Sequence, residues 1–305
     1  MRVIRSAEPA GGRVIALGTF DGVHRGHRAL IYEAKRLAGE FGVPLRVCSF
    51  DRHPLEVLRP QDPPDMLSTI PEKAREMYAL GVDEMELIPF DRAMADMEPE
   101  AFLERLRTLT EVKAIVAGWN YSFGRKGRGD AELLKKDGEE HGYRVLIVPP
   151  TSLEDGTAIS SSLVRQKLRE GLVEEAADLL GHPYTITGTV AQGKHQGHGL
   201  GFPTANIAPW KRKALPKYGV YACVLETGGE ILPSVANVGV QPTLPSGHVT
   251  VEAHILTECP DLYGRKACLT LLSMLREEKK FDSPEELKAQ IAKDRDEALK
   301  RFGMA

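Results

Sequence analysis

Short apolar runs alternate with longer amphipathic segments from residue 13 to about residue 180. This alternation is typical of a parallel sheet whose strands are connected by helices. The runs that we predict to be strands are 13–18, 45–50, 85–89, 114–118 and 144–148.

Apolar residues between these runs recur at helical spacing. The first such segment is predicted to bury one helical face, because its apolar side chains lie at i, i+1, i+4, i+7 and i+8. That face consists of Leu30, Ile31, Ala34, Leu37 and Ala38. Further helices are predicted near 71–80, 99–109, 130–141, 160–170 and 173–180. Strands and helices together predict a doubly wound α/β domain.

The pattern changes at 181–184, where Gly-His-Pro-Tyr interrupts it. We therefore place a domain boundary after residue 182. Downstream, β-rich runs are separated by glycine and proline clusters, which predicts an antiparallel sandwich or a small barrel. These runs are 184–190, 219–226, 231–238, 249–257 and 267–274.

The last element is predicted to be a helix that begins at an N-cap, Ser283. Pro284 takes the first helical position, and Glu286 would complete a capping box. The apolar side chains that we expect this helix to bury are Leu287, Ile291 and Leu299.

Composition limits the class of protein. The chain has 305 residues, enough for two domains, and its 42% hydrophobic content can give each a core. A net charge of −3 provides no basic field for nucleic acid or an anionic membrane. The four cysteines show no CxxC pair or metal-ligand spacing, so free thiols are expected. Without an apolar leader or a run of about 20 apolar residues, we expect a cytoplasmic protein.

The first candidate site is the string GTFDGVHRGH at 18–27, between the first strand and the first helix. In an open α/β sheet, ligands bind beyond the carboxyl ends of the strands. Glycines allow the backbone to approach a phosphate, and the N-terminus of the following helix offers unpaired N–H groups. His24 and His27 could donate hydrogen bonds to phosphate oxygens. A tight turn that carries two surface histidines would also explain the string.

This string resembles the HxGH element of the nucleotidyltransferase superfamily, and its full length is similar to the N-terminal signature of bacterial FAD synthetases. The resemblance implies that His24 and His27 are catalytic and that the loop binds ATP. The ATP-binding residues implied in the loop are Gly18, Phe20, Asp21, Gly22 and Gly26.

A second stretch, ISSSLVR at 159–165, resembles the ISSTxIR segment of the same family. Ser162 stands where the family has Thr, and Leu163 where Arg is frequent. The resemblance implies that Ser160, Ser161 and Arg165 hold ATP phosphates. A plain helix cap would also explain the serines.

Two other stretches point to a flavin site. GWNYSFGR at 118–125 resembles the family's G-x-[DN]-F-x-FG segment, with Tyr121 where Phe is usual, and SFDRHP at 49–54 resembles TFxPHP. Trp119 and Phe123 could equally be core residues. The flavin-binding residues that the resemblance implies are Asn120, Tyr121, Phe123, Asp51, His53 and Pro54.

The second candidate site combines a glycine-rich loop with the segment PTAN at 203–206. Backbone N–H groups of such a loop could fold over phosphates, while Thr204 and Asn206 offer oxygen ligands to Mg²⁺. The string resembles the riboflavin kinase motif, with His198 where Arg is usual. The resemblance implies ATP binding by Gly193, Gly197, His198, Gly201, Thr204 and Asn206.

Glu252 lies in a predicted strand between Val251 and Ala253, where an unpaired charge is costly. The resemblance implies that Glu252 is the catalytic base, which accepts the proton of the ribityl 5′-hydroxyl during attack on the γ-phosphate of ATP. A surface glutamate on an edge strand would show the same alternation.

The resemblance spans nearly the whole chain, with FMN adenylyltransferase at 1–182 and riboflavin kinase at 183–305. It implies a Rossmann-like domain followed by an antiparallel β-barrel with a C-terminal helix. Mg²⁺, ATP, riboflavin, FMN and FAD are the implied ligands, with no nucleic-acid or membrane partner. The sequence leaves the oligomeric state open. Two rivals remain: a nucleotidyltransferase with another substrate, and a non-catalytic flavin or nucleotide sensor.

Overall fold

The computed structural model describes residues 1–5, 10–191, 204–240, 249–258 and 262–303. It divides into two compact units, Met1–Ser161 and Ser162–Ala305. This division falls after the first residue of α7 (Ser161–Glu170) and before α8 (Val173–Leu180). The sequence places the boundary between the two activities later, after residue 182, and that boundary stays a prediction.

The first unit contains a six-stranded parallel sheet in the order β1-β4-β3-β2-β5-β6. The strands are β1 (Arg2–Ile4), β2 (Ala10–Leu17), β3 (Leu45–Phe50), β4 (Glu84–Ile88), β5 (Thr110–Gly118) and β6 (Arg144–Val148). The helices are α1 (Arg25–Phe41), α2 (Pro54–Leu58), α3 (Ile70–Ala79), α4 (Arg92–Ala95), α5 (Pro99–Leu109) and α6 (Ala131–His141). The predicted α/β fold is confirmed.

A hydrophobic core lies on each face of this sheet. One core contains the apolar face of α1, including the five residues predicted to be buried, together with Met77 of α3. The other contains Phe102, Leu103 and Leu106 of α5 and Leu134 of α6. Because β3 and β4 follow β2 on one side of the sheet while β5 lies on its other side, the strand order reverses between β2 and β5. That reversal is where open α/β sheets bind ligands.

The sequence missed β1, α2 and α4. These elements have 3, 5 and 4 residues, which is too short for a hydrophobic period to show. In contrast, β3, β6 and α8 begin and end where the pattern predicts.

The second unit contains a closed barrel in the order β10-β11-β8-β7-β12-β9, with every neighbouring pair antiparallel. Its strands are β7 (Thr185–Ala191), β8 (Thr204–Pro209), β9 (Gly219–Thr227), β10 (Glu230–Val240), β11 (Val249–Ile255) and β12 (Lys266–Glu277). The barrel, and not the sandwich, is therefore confirmed. The sequence did not predict β8, because its Asn, Pro and two Ala residues give a weak strand signal.

The C-terminal helix α9 (Pro284–Arg301) has Ser283 as its N-cap, whose side chain accepts from Glu286 N at 3.2 Å. The predicted capping box is wrong in its second bond. The Glu286 carboxylate accepts from Asp282 N and not from the backbone N of the N-cap, Ser283.

The buried stripe predicted for α9 is also wrong. Leu287, Ile291 and Leu299 are partly exposed, whereas Asp294 and Ala298 are buried. Arg276 of β12 donates to the Asp294 carboxylate at 2.8–3.0 Å, so an ion pair lies where an apolar face was expected. Cys48, Cys223 and Cys268 are free thiols as predicted, and Cys259 lies outside the described residues.

Candidate nucleotide and flavin sites

A cleft of about 660 Å³ opens in the first unit, at the carboxyl ends of the parallel strands. The loop after β2, the segment after β5 and residues 158–161 contribute to its wall. The predicted site residues that line it are Gly18, Phe20, His24, Gly26, His27, His53, Pro54, Asn120, Tyr121, Phe123, Ser160 and Ser161. Four strings far apart in sequence therefore share one cleft.

The loop between β2 and α1 has a strained backbone. Phe20, Gly22 and Val23 have φ values of 50°, 80° and 46°, a region that favours glycine. Such a conformation costs about 1–3 kcal/mol at each residue other than glycine and persists only where the surroundings enforce it.

Asp21 helps to enforce this conformation. Its carboxylate accepts from the backbone N of Leu67 and of Ser68, each at 3.1 Å, and Gly22 N donates to Ser68 Oγ at 3.0 Å. Asp21 is 1% exposed and, like Gly22, is not part of the cleft wall. These two residues shape the loop that faces the cleft, and their predicted contact with ATP stays a prediction.

The two histidines form a stacked pair at the start of α1, with ring centroids 3.6 Å apart. His24 is the N-cap, and its Nδ1 accepts from His27 N at 3.4 Å. The edge of the His27 ring meets Phe20 with a centroid distance of 5.2 Å. Within the described part of the chain, His27 Nδ1 is buried and has no hydrogen-bond partner. The alternative of two surface histidines is wrong.

Burial lowers the pKa of His27 well below the ordinary histidine value, and the neighbouring His24 and Lys73 lower it further. The imidazole is therefore neutral in the ligand-free protein at neutral pH. A neutral ring at this position can still donate one hydrogen bond, and an approaching polyphosphate would favour its protonated form.

Acidification is expected to destabilise the first unit through His27. Between the unfolded histidine pKa of about 6.5 and the lower folded value, the unfolded chain binds a proton that the folded chain does not. Stability therefore falls as pH decreases through that window. We expect the thermal unfolding midpoint to drop between about pH 7.5 and about pH 5.5, and to drop less in His27→Gln. Equal drops in both proteins would contradict the expectation.

Aromatic side chains also line the cleft. Tyr121 and Phe123 are stacked with centroids 5.8 Å apart, and Phe50 meets Phe90 edge-on at 4.8 Å. Trp119 is 53% exposed and Phe123 is 6% exposed. Phe123 is thus both a core residue and part of the wall, whereas Trp119 is not core. These aromatic faces suit a planar ring.

The segment after β3 contributes His53 and Pro54, which begin α2. His53 Nδ1 accepts from Leu55 N at 3.1 Å. Asp51, predicted to bind flavin, is not in the wall; its Oδ1 accepts from Phe90 N at 3.0 Å. The Asp51 carboxylate thus holds the backbone at Phe90, and its predicted contact with flavin stays a prediction.

Ser161 belongs to the cleft and is also tied to the loop, since its Oγ donates to the carbonyl oxygen of Asp21 at 2.9 Å. Ser161 is the first residue of α7, so it lies at the helix start, as the alternative of a plain helix cap expects. Its hydroxyl, however, donates to the loop and not to the helix backbone. Arg165 lies further along α7, in the second unit, and its contact with phosphate stays a prediction.

The barrel aligns the second set of predicted residues. Glu252 on β11 is paired with Asn206 on β8 and with Asn237 on β10, and His254 is paired with Thr204. The alternation of burial puts these polar side chains on the partly exposed face, opposite buried Ala205, Val251 and Ala253. Because β11 lies between β8 and β10, the alternative of an edge-strand glutamate is wrong.

His254, which the sequence indicated to be structural, lies beside the predicted Mg²⁺ ligand Thr204. Its Nδ1 lies 3.2 Å from Thr204 Oγ1, and burial lowers its pKa, opposed by Asp294. The sequence missed Asn237, because its place beside Glu252 depends on strand register. The predicted ATP-binding residues Gly193, Gly197, His198 and Gly201 lie outside the described residues.

The donor set in the barrel fits Mg²⁺. Thr204 and Asn206 offer neutral oxygens on one face of β8, and Mg²⁺ typically takes few protein oxygens together with phosphates and water. In the described ranges there is no group of three or more His, Cys, Asp or Glu that could hold a metal by itself.

Two family descriptions match the chain. FAD synthetase matches residues 6–163, and riboflavin kinase matches residues 180–302. The bifunctional riboflavin kinase/FMN adenylyltransferase of Escherichia coli strain K12 is 39% identical, over 100% of this chain and 99% of the relative. The enzyme of the same name from Bacillus subtilis strain 168 is 34% identical, over 95% and 92%.

The chain belongs to the bifunctional riboflavin kinase/FMN adenylyltransferase family. Both predicted activities, riboflavin phosphorylation and FMN adenylylation, are confirmed at the level of the two domains. The rival of a nucleotidyltransferase with an unrelated substrate is thereby wrong.

A solved structure from Streptococcus pneumoniae, described as a macrolide-efflux protein, is 31% identical and covers 99% of each chain with a TM-score of 0.87. Neither the two family descriptions nor the names of the two relatives above mention efflux. Among the residues that the structure describes, no helix is both long and apolar enough to cross a membrane. The expected cytoplasmic location and the absence of a nucleic-acid partner stay predictions.

Proposed function

We propose that the barrel phosphorylates riboflavin at the row formed by Asn206, Glu252 and Asn237, and that the first unit adenylylates FMN at the cleft beside His24 and His27. The observation that supports the kinase site is the strand register that puts Glu252 beside Asn206. This register brings a carboxylate and the oxygen ligands Thr204 and Asn206 to one face of the barrel.

In the barrel, Glu252 accepts the proton of the riboflavin 5′-hydroxyl as that oxygen bonds to the γ-phosphorus of ATP. The bond from that phosphorus to the bridging oxygen breaks, and ADP leaves. The reaction requires positioning more than a strong base, so a carboxylate is sufficient. The register puts a neutral amide residue on each side of Glu252, Asn206 on β8 and Asn237 on β10, without adding charge.

Thr204 and Asn206 would hold Mg²⁺ together with the polyphosphate. When bound, Mg²⁺ neutralises the negative charge of the phosphates. The contact between Thr204 and His254 directs the threonine hydroxyl.

In the cleft, a phosphate oxygen of FMN attacks the α-phosphorus of ATP, and pyrophosphate leaves. His24 and His27 donate hydrogen bonds to the oxygens on which negative charge increases. Ser160 and Ser161 add hydroxyls, and the aromatic wall beside Tyr121 holds the flavin ring. Two bound substrates in register can lower the barrier by about 7–11 kcal/mol.

Two nucleotides are expected to bind to each chain. Isothermal titration with a non-hydrolysable ATP analogue and Mg²⁺, in the presence and absence of flavin, should give a stoichiometry of about two, since each site holds its own polyphosphate. A stoichiometry of one under both conditions would contradict the proposal of two sites.

A product assay completes this test. Protein incubated with riboflavin and MgATP should form FMN and then FAD, which chromatography separates, and EDTA should stop both steps. Unchanged riboflavin would favour the rival of a non-catalytic sensor.

A further inference from the structure

A buried lysine lies beneath the loop at 18–24, and the proposed reaction does not use it. Lys73 is on α3 and is 4% exposed. Its Nζ donates to the carbonyl oxygen of Thr19 at 2.7 Å and to Ser49 Oγ at 3.1 Å. Since removing an ammonium group from water is costly, such a residue is expected to serve a purpose that an apolar side chain could not.

The Thr19 carbonyl is held by two donors. Ser49 Oγ donates to it at 2.9 Å while accepting from Lys73, so the three groups form a closed triangle. The groups come from the loop after β2, the end of β3 and the middle of α3. This triangle fixes the direction of one peptide group from beneath.

The direction of this peptide matters because a trans peptide points its C=O and N–H to opposite sides. Among the described residues, no peptide bond is cis. With the Thr19 carbonyl turned to Lys73, the Phe20 N–H points to the other side of the loop. In the part of the chain that the structure describes, this N–H donates to no protein acceptor, and both Thr19 and Phe20 line the cleft.

We propose that Lys73 is a positioning residue for adenylyl transfer: together with Ser49 it holds the Thr19–Phe20 peptide so that its N–H faces the polyphosphate of ATP. The proposal rests on the proposed function, in which this loop binds ATP. The positive φ of Phe20 supports it, because the backbone would relax from that conformation without an external hold.

The charge of Lys73 adds to this effect. Burial lowers the pKa of Lys73 to about 8, and Asp21 opposes that shift. The charged and titratable groups that face it are Asp21 from the loop and His27 from α1, whose own pKa Lys73 lowers. Below about pH 8 the ammonium polarises the Thr19–Phe20 peptide toward an anion, and above it this contribution is lost.

The test compares Lys73→Met, Lys73→Arg and Ser49→Ala in adenylylation of supplied FMN, with riboflavin phosphorylation by the same protein as the internal control. Losing a charged donor should lower kcat/KM for ATP in Lys73→Met by roughly 10- to 100-fold, mainly through KM. Ser49→Ala should lose less, since Lys73 still holds the carbonyl. Riboflavin phosphorylation should stay within experimental error.

A pH profile separates positioning by a cation from simple packing. The wild-type kcat/KM for adenylylation should decline above about pH 8 as Lys73 loses its proton. Lys73→Arg keeps its charge, so it should restore most of the activity at neutral pH and remove that decline.

The inference is overturned if Lys73→Met adenylylates FMN within twofold of the wild type, if Lys73→Arg declines at the same pH as the wild type, or if phosphorylation falls in parallel. His27→Ala, assayed beside these variants, distinguishes the two failures. An inactive His27→Ala with an unaffected Lys73→Met refutes the role of Lys73 alone, whereas an active His27→Ala refutes the proposed site.

Discussion

Replacing Glu252 by Gln is expected to lower kcat for riboflavin phosphorylation by roughly 10²- to 10⁴-fold, the usual contribution of a positioned base. The amide keeps the shape of the side chain but cannot accept the proton of the 5′-hydroxyl. Adenylylation of supplied FMN should be unchanged, because that reaction belongs to the other unit. Chromatographic separation of riboflavin, FMN and FAD measures both rates in one sample.

Glu226→Gln is a matched control for this variant. Glu226 is an exposed glutamate on β9 of the same barrel, and its strand pairs with β10 and β12, not with β8. It should phosphorylate riboflavin at the wild-type rate. Undiminished phosphorylation by Glu252→Gln would refute the assignment of the base.

Replacing His27 by Ala is expected to impair FMN adenylylation and to spare riboflavin phosphorylation, the reverse of Glu252→Gln. Loss of a donor to the developing charge should lower kcat for FMN adenylylation by roughly 10²- to 10³-fold, while riboflavin phosphorylation continues and FMN accumulates. Because His27 also stacks on His24, His27→Gln should be tested in parallel, since it retains a polar side chain.

His141→Gln serves as the control for the histidine variants. This residue lies on α6 of the same unit, its side chain is 42% exposed, and it is not part of the cleft wall. Adenylylation by this control should equal that of the wild type. If His27→Ala and His141→Gln gave the same rate, His27 would have no catalytic role.

The sequence could point to both proposed sites because their candidate residues are concentrated in short strings. His24 and His27 are separated by one helical turn, and Thr204 and Asn206 by one strand repeat, so local geometry alone puts each pair on one face. The fold class followed from the same kind of information, since apolar runs and amphipathic segments alternate in order.

The roles that the sequence could not predict depend on contacts between distant segments. Asp21 and Asp51 look like ligand-binding carboxylates in a motif, yet they bond to the backbone of Leu67, Ser68 and Phe90. Lys73 reaches Thr19 across 54 residues of sequence. Such contacts arise from packing, which no local pattern encodes.

The closed barrel has a consequence for the order in which the protein acquires its shape during translation. β7 is the first strand of the barrel and pairs with β12, the last, through Thr189 and Lys266. The ring therefore cannot close until the ribosome has released β12, whereas all strands of the parallel sheet have been synthesised by Val148. A nascent chain can thus complete its amino-terminal sheet while the barrel is still open.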